Sequence, residues 1–319
     1  MAQSDTESSL AFEIQKFVDN SRLLITGATG MLGTAFLGVL KDWKCDLQNC
    51  LFLPKSRLNV AALDNFRPYY SFEPTHVLHC AGLVDADFSE EHPQLTHEII
   101  EDGARNLEAF ARSFDSTIFY PQTFLIFDGT EPIVDEHSSV LPLNVYGNAK
   151  YRAEQYLLEK SPNTLSGRLG GFFGGESIDK NFVGKISREI AQLISINSSH
   201  LEIGNRRWQP TYTHDIARNI LLLLARTRTG IYNIACESDA SFFDVTQSIV
   251  DTFSLEDRIS ISKVDYNLVE RNDRATRPAS VYLSTQKLDK EGLNLQRHWK
   301  ESLAEYLGSD YFNNLFRYW

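Results

Sequence analysis

The run LLITGATGMLGTAF, residues 23–36, constrains this chain more than any other stretch. An apolar, strand-like tetrad leads into glycines at 27, 30 and 33, and a run of helix formers follows. A strand, a tight glycine turn and a helix start, in that order, aim backbone N–H groups and the positive end of a helix dipole at one point. A pyrophosphate can approach there. Gly27 would make the turn, Gly30 would admit the phosphate and Gly33 would let the helix close on the strand. Without its flanks the motif reads equally well as a glycine turn with no ligand. The flanks favour a dinucleotide.

With 319 residues the chain can form one large domain or two closely joined ones, each with a full core. A formal charge of −11 excludes a non-specific nucleic-acid or anionic-membrane surface, which needs clustered cations, but not a nucleotide held in a pocket. Cys45, Cys50, Cys80 and Cys236 have neither C-x-x-C spacing nor a small disulfide framework, which predicts a reducing, cytoplasmic setting. No apolar run approaches the ~20 residues of a membrane helix, so no membrane partner is expected. The eight histidines lack metal-ligand spacing, and no metal is expected.

Apolar strand-like runs at 50–53, 76–80, 117–120 and 165–169 alternate with helical spacing over 31–43, 94–113 and 143–160. That alternation predicts the α/β class: a Rossmann-type doubly wound parallel sheet with a smaller C-terminal α/β lobe. Residues 1–20 read as an N-terminal extension with a helical second half. Residues 21–169 read as the NAD(P)-binding domain, and 170–319 as mainly the substrate lobe, from which the chain re-enters the first domain. Within that lobe RLGGFFGGES is a loop, 181–195 and 215–226 are helical, and 230–235 is a strand. A helix opens at Ser241 with Asp244 in capping-box spacing, and a last one covers 297–307.

Tyr146 and Lys150 sit four apart on one face of a predicted helix. Alone, Y-x-x-x-K is mostly an ordinary surface contact. After a nucleotide-binding half and a strand ending in Tyr120-Pro121-Gln122-Thr123 it has a chemical reading. A phenol with a pKa near ~10 is a poor acid at neutral pH. An ammonium one turn away and a positive nicotinamide would draw it toward working pH. The Thr123 hydroxyl could hold a substrate oxygen while Tyr146 passes the proton. The segment after the second strand reads Leu53-Pro54-Lys55-Ser56-Arg57, with no acid to take a ribose 2′-hydroxyl. Lys55, Ser56 and Arg57 would welcome a 2′-phosphate, which favours NADP(H) over NAD(H); two solvated surface cations are the alternative. Arg206, Arg207 and Trp208 form a basic and aromatic cluster, suited to a diphosphate and a base or to an ordinary loop.

The chain resembles the extended short-chain dehydrogenase/reductases and, within them, the dTDP-4-dehydrorhamnose reductases. The motifs that carry the resemblance are TGATGMLG; DADFSEE, where Asp87 and Glu90 match an acidic pair; QTFLIFDGT; PLNVYGNAKYRAE; NFV; QPTYTHDIA; GIYNIA; and RPASVYLSTQKL. It implies an enzyme: an NADPH-dependent reduction of a 4-keto nucleotide-diphosphate sugar in deoxysugar or polysaccharide precursor synthesis. Thr123, Tyr146 and Lys150 would be catalytic, with Tyr146 the proton donor. The implied cofactor residues are Gly27, Thr29, Gly30, Met31, Leu32, Lys55, Ser56, Arg57, Cys80, Ala81 and Gly82, together with Tyr146 and Lys150. Asp87, Phe124, Gly171, Asn181, Arg207 and Trp208 would meet the substrate, and a homodimer is left open.

Departures from the pattern cluster on the substrate side. Phe124 and Leu125 replace an aspartate and an aromatic, and Gly171 stands near a usual tryptophan, implying a roomier or differently floored pocket. Ile100 stands for an asparagine of the proton relay, and His79 for another in the third-strand motif. Arg168 matches an arginine read as structural or cofactor-adjacent. An epimerase/reductase of the same fold is one alternative. Another is a regulatory subunit that binds NADP without turnover, since the chain also resembles that of methionine adenosyltransferase.

Overall fold

The computed structural model describes residues 2–265 and 273–317. Six parallel strands form the central sheet: β1 (Leu23–Thr26), β2 (Cys50–Leu53), β3 (His76–His79), β4 (Thr117–Thr123), β5 (Thr164–Leu169) and a late sixth, Gly230–Ile234. Between β5 and that strand come β6 (Phe172–Phe173), β7 (His200–Gly204), β8 (Arg207–Trp208) and β9 (Thr211–Tyr212), which makes the sixth β10. The order across the sheet is β2-β1-β3-β4-β5-β10. After β1 the chain leaves to one side for β2 and returns to the other for β3. The β1/β3 boundary is therefore the topological switch point, where α/β sheets open a crevice at their carboxyl ends.

Strand β1 shows why both faces must be covered. All four residues are buried; Leu23 and Ile25 enter one core and Leu24 the other. The first core takes α1 (Ala2–Asp19), α2 (Met31–Asp42) and a helix at Thr213–Ala225. The second takes α3 (Ala86–Glu91), α5 (Gly103–Arg112) and α6 (Val145–Lys160), with α4 (Pro93–His97) between α3 and α5. The helix Thr213–Ala225, α8 after α7 (Phe182–Ser195), leads into β10 and brings the chain back to the sheet. The smaller lobe has its own core, where Phe173, Ile190, Trp208 and Tyr212 meet Val245 and Ile249 of α9 (Phe242–Thr252) and Trp299. Among the described residues it holds three two-stranded pairings: β6 with β9, β8 with β11 (Ala240–Ser241) and β7 with β12 (Ser260–Val264). Asp215 in the first turn of α8 joins the lobes, accepting from Arg297 at 2.7 Å and from the Ser302 hydroxyl at 2.6 Å.

Several elements depart from the sequence reading for local reasons. The helix expected over 94–113 is interrupted by a π-helical turn, Glu98–Asp102, which carries Ile100 and Glu101 into the interior. The helix expected from 143 starts at Val145, because Asn144 caps it: its side chain accepts from Gly147 N at 2.7 Å, and Glu90 accepts from Val145 N at 2.8 Å. β4 runs on through Pro121 to Thr123, opposite Gly167 and Leu169. The expected loop at 168–177 and the polar stretch at 204–215 contain β6, β8 and β9, each only two residues long, and so without a period to read. The capping box at Ser241 and Asp244 is present.

His79, at the end of β3, is 2% exposed and hydrogen-bonded through Nδ1 to the Thr26 hydroxyl at 3.1 Å. Burial, reinforced by the Lys150 charge, pulls its pKa down to about 3. As pH falls below the ordinary histidine value, the unfolded chain takes the proton before the folded one. The contribution is thus complete above pH ~6.5 and is lost as pH drops toward 3. Urea unfolding between pH 6 and 4 should show stability falling with a His79 share of up to about 1.4 kcal/mol per pH unit. That share should vanish in His79→Asn; an unchanged slope would contradict the assignment.

Candidate active site

The glycine loop is built by contact between two backbones. Gly27 has φ +63°, and a Cβ there would lie 2.5 Å from the Cys80 carbonyl oxygen and 2.6 Å from Ala81 N. A Cβ on Gly33 would lie 2.5 Å from the Gly27 oxygen, so α2 closes on the loop only with glycine at that place. Thr26 Oγ1 accepts from Ala81 N at 3.1 Å and ties the β1 and β3 loops together beside His79. Gly30 caps α2 without a side-chain hydrogen bond, and the first turn holds no acid. Thr29 and Gly30 are exposed, Met31 is half-buried and Leu32 is packed inside. Gly82 has open space where its Cβ would stand. An uncapped helix start, an acid-free first turn and bare backbone facing the crevice fit a pyrophosphate. Ala28 N donates to the Leu53 oxygen at 3.2 Å, so the end of β2 adjoins the loop. Lys55, Ser56 and Arg57 follow, all exposed, and neither cation makes an ion pair among the described residues.

Thr123 ends β4, and Tyr146 sits in the first turn of α6. The Thr123 hydroxyl accepts from Leu125 N at 3.2 Å and lies close enough to the Tyr146 hydroxyl to favour its ionised form. Tyr146 is buried, and burial pushes its phenol up to about 12, against the Thr123 hydroxyl that draws it down. Within the chain itself desolvation outweighs the expected pull toward neutral pH. Lys150, half-buried one turn on, donates to the Pro121 oxygen at 2.6 Å and lies 4.0 Å from the Tyr120 ring centroid. Burial lowers Lys150 to about 7, with Glu154 and Cys80 opposing. Burial also pushes the Cys80 thiol up, which makes it a protonated wall residue and not a nucleophile.

Substrate-side residues divide. Gly171 leaves its space to Trp208: a Cβ there would come within 2.5 Å of the indole and 3.4 Å of the Phe124 ring. The pocket is therefore floored differently, not enlarged. Trp208 is only 7% exposed, set edge-on to Phe182 and Phe242. Asp87, expected at the substrate, is already engaged. It accepts from Arg274 N, Ala275 N and the Arg277 guanidinium, the last at 2.7 Å. Burial works to raise its carboxyl, but those donors hold it below the usual range. Arg207, also expected there, turns outward to Asp239 at 2.5 Å. Asn181 caps α7 and donates to the Phe172 oxygen at 2.8 Å. A cleft of about 380 Å³ lies beyond Met31, lined by Thr34, Tyr212, His214 and Tyr306, and none of the Thr123, Tyr146, Lys150 set borders it.

The model of the RmlD substrate binding domain family matches residues 21–311. The chain belongs to that family. It is an oxidoreductase family that includes NAD(P)-dependent reductases. A dTDP-4-dehydrorhamnose reductase of Mycolicibacterium smegmatis is 28% identical over 293 residues, covering 89% of this chain and 84% of the relative. The methionine adenosyltransferase 2 subunit beta of Danio rerio is 26% identical over 288 residues, 86% of each chain. In fold, the chain resembles the Bacillus anthracis dTDP-4-dehydrorhamnose reductase solved in complex with NADP, with a TM-score of 0.79 at 23% identity over 90% of this chain and 98% of that one. Helix α1 lies outside the matched family region. It is anchored by Ile14 and Val18 in the core and by Glu13 to Arg226.

Within the family frame, Arg206 of the basic cluster turns inward and meets Arg277, which the sequence did not single out. Arg277 bonds Asp273 at 2.9 Å, and Arg206 reaches the same carboxylate at 3.9 Å. Spacing along the chain gave no signal, because 71 residues separate them. Arg168 is structural: with Glu154 it forms a buried pair at 3.1 Å, completed by the Ser166 hydroxyl at 2.6 Å. Among the described residues no group of acids, histidines or cysteines could hold a metal, and no helix is long and apolar enough to cross a membrane. Arg168→Met leaves the Glu154 carboxylate buried without its partner. Urea unfolding should show a loss of about 3–5 kcal/mol, against a much smaller one in the double variant Arg168→Met, Glu154→Gln. Equal losses would deny the pairing.

Proposed function

We propose that this chain is an NADPH-dependent reductase of a 4-keto nucleotide-diphosphate sugar, serving deoxysugar or polysaccharide precursor synthesis. The observation that supports it most is the pair of hydroxyls at the carboxyl edge of the sheet, Thr123 at the end of β4 and Tyr146 in the first turn of α6, on the same edge as the uncapped start of α2. A phenol held up to about 12 is fully protonated at neutral pH. It therefore carries the proton that reduction consumes, and bound cofactor charge and Lys150 would have to draw its pKa down for it to give that proton to an oxygen that is becoming an alkoxide. Thr123 would bind the carbonyl oxygen, and Tyr146 would deliver its proton there. Bound NADPH would supply the hydride. Gly27, Gly30 and the first amides of α2 would hold its pyrophosphate, and Lys55, Ser56 and Arg57 its 2′-phosphate. Lys150 would grip the ribose beside the reacting carbon.

The sugar end suits an apolar floor of Phe124 and Trp208. Arg206 and Arg277 converge on the Asp273 carboxylate, an arrangement in which a diphosphate could take the carboxylate's place. A second reading has one observation in its favour: relatives named as methionine adenosyltransferase 2 subunit beta match at the same level of identity as a reductase. It would make the chain an NADP-binding regulatory subunit without turnover.

NADPH oxidation measured with a panel of nucleotide-diphosphate 4-keto sugars separates the two, since the regulatory reading gives binding and no turnover on any of them. In the reductase reading, Tyr146→Phe loses about 100-fold or more in kcat while keeping its NADPH affinity. Near-normal turnover of that variant would remove Tyr146 as donor. Lys55→Ala with Arg57→Ala should weaken NADPH about tenfold or more and leave NADH nearly untouched. Equal effects on both would mean solvated cations.

A further inference from the structure

Lys150 is gripped at both ends by one strand. Its backbone oxygen on α6 accepts from Gln122 Nε2 at 3.0 Å and from the Tyr120 hydroxyl at 3.4 Å. Its ammonium lies over the Tyr120 ring, 4.0 Å from the centroid, and donates to the oxygen of Pro121 between them. Tyr120 and Gln122 are 1% and 2% exposed and alternate on the α6 side of β4. Both side chains are closed off from solvent. Gln122 Oε1 also accepts from Thr123 N at 2.9 Å, so one carboxamide spans the lysine's helix and the catalytic hydroxyl's backbone. The Tyr120 ring is also stacked on His79 at 6.1 Å and 24°, tying the cradle to the loop that meets the glycine turn.

Local chemistry explains why this strand can do it. Pro121 has no N–H to give the sheet, an unusual residue for a central strand. Pairing with β3 ends at Phe119, so on that side β4 is an edge at Pro121, where a residue without N–H is tolerated, and the Pro121 oxygen accepts from the Lys150 ammonium. An ammonium over an aromatic face, shielded from water, is held more strongly than an exposed one. The π-face, the proline oxygen and the two donors to the lysine's own carbonyl fix both the place of the charge and the helix turn that carries it.

We propose that Tyr120 and Gln122 are positioning residues that act through Lys150: they set where its ammonium waits and where α6 presents it to a cofactor ribose. The role rests on the reductase reading for its effect on turnover, but not for its effect on NADPH binding. With the full chain, NADPH affinity is measured by nucleotide fluorescence, and kcat and KM with dTDP-4-dehydrorhamnose. The variants are Tyr120→Leu, Tyr120→Phe, Gln122→Met, Lys150→Met and the double variants with Lys150→Met. Tyr120→Leu should weaken NADPH binding and kcat/KM by about tenfold, and Tyr120→Phe, which keeps the ring face, should recover most of that loss. In the Lys150→Met background neither Tyr120→Leu nor Gln122→Met should cost more, since the group they act on is gone. Additive losses, or Tyr120→Phe as poor as Tyr120→Leu, would overturn the proposal. If Tyr120→Leu does not fold, the Gln122→Met cycle decides alone. A wild-type chain that binds NADPH yet turns over nothing would sink the reductase reading, while the binding cycle still judges the cradle.

Discussion

Everything at this site depends on two backbones that touch without side chains between them. Gly27 lies against Cys80 and Ala81, and Gly33 against Gly27, at separations that a single Cβ would fill. Because the contact falls at the switch point of the sheet, the loops that follow β1 and β3 form one wall of the crevice. The start of α2 points into it from one side. Thr26 and His79, buried at the ends of those strands, bond to each other across the junction. The Tyr120 ring carries that link on from His79 to Lys150.

From that junction the chemistry is arranged by desolvation more than by charge pairs. Burial raises Tyr146 and lowers Lys150, so the two groups are driven apart from their ordinary values and not toward a shared one. The phenol is protonated at neutral pH, and in the proposed reduction cofactor charge would have to act against its desolvation. The buried Glu154–Arg168 pair one turn beyond Lys150 keeps a compensated negative charge under the site.

How much of this was legible in the sequence depends on how far a feature reaches. The glycine frame, the four-residue spacing from Tyr146 to Lys150 and the strand at Cys50–Leu53 are local patterns, and the structure has each of them. Features that need distant partners were not legible. Asp87 reads as a substrate acid until Arg277, 190 positions away, is found on it. Arg207 reads as a diphosphate ligand, yet β8 pairing turns it outward to Asp239 and turns Arg206 inward. Gly171 reads as either a roomier or a differently floored pocket, and only Trp208, arriving from another strand, decides for the second. The two-residue strands of the smaller lobe carry no periodicity at all, so their loops could not be told from turns.

Family membership and the site's geometry converge on hydride transfer, and following the hydride itself tests that most directly. NADPH carrying deuterium at the transferable C4 position would be incubated with the chain and dTDP-4-dehydrorhamnose, and the sugar product analysed by mass spectrometry and NMR. The account predicts a product one mass unit heavier, with the label on the carbon that was the ketone. NADPH bound in stoichiometric amount, with no label in this sugar or in any other nucleotide-diphosphate 4-keto sugar, would contradict it.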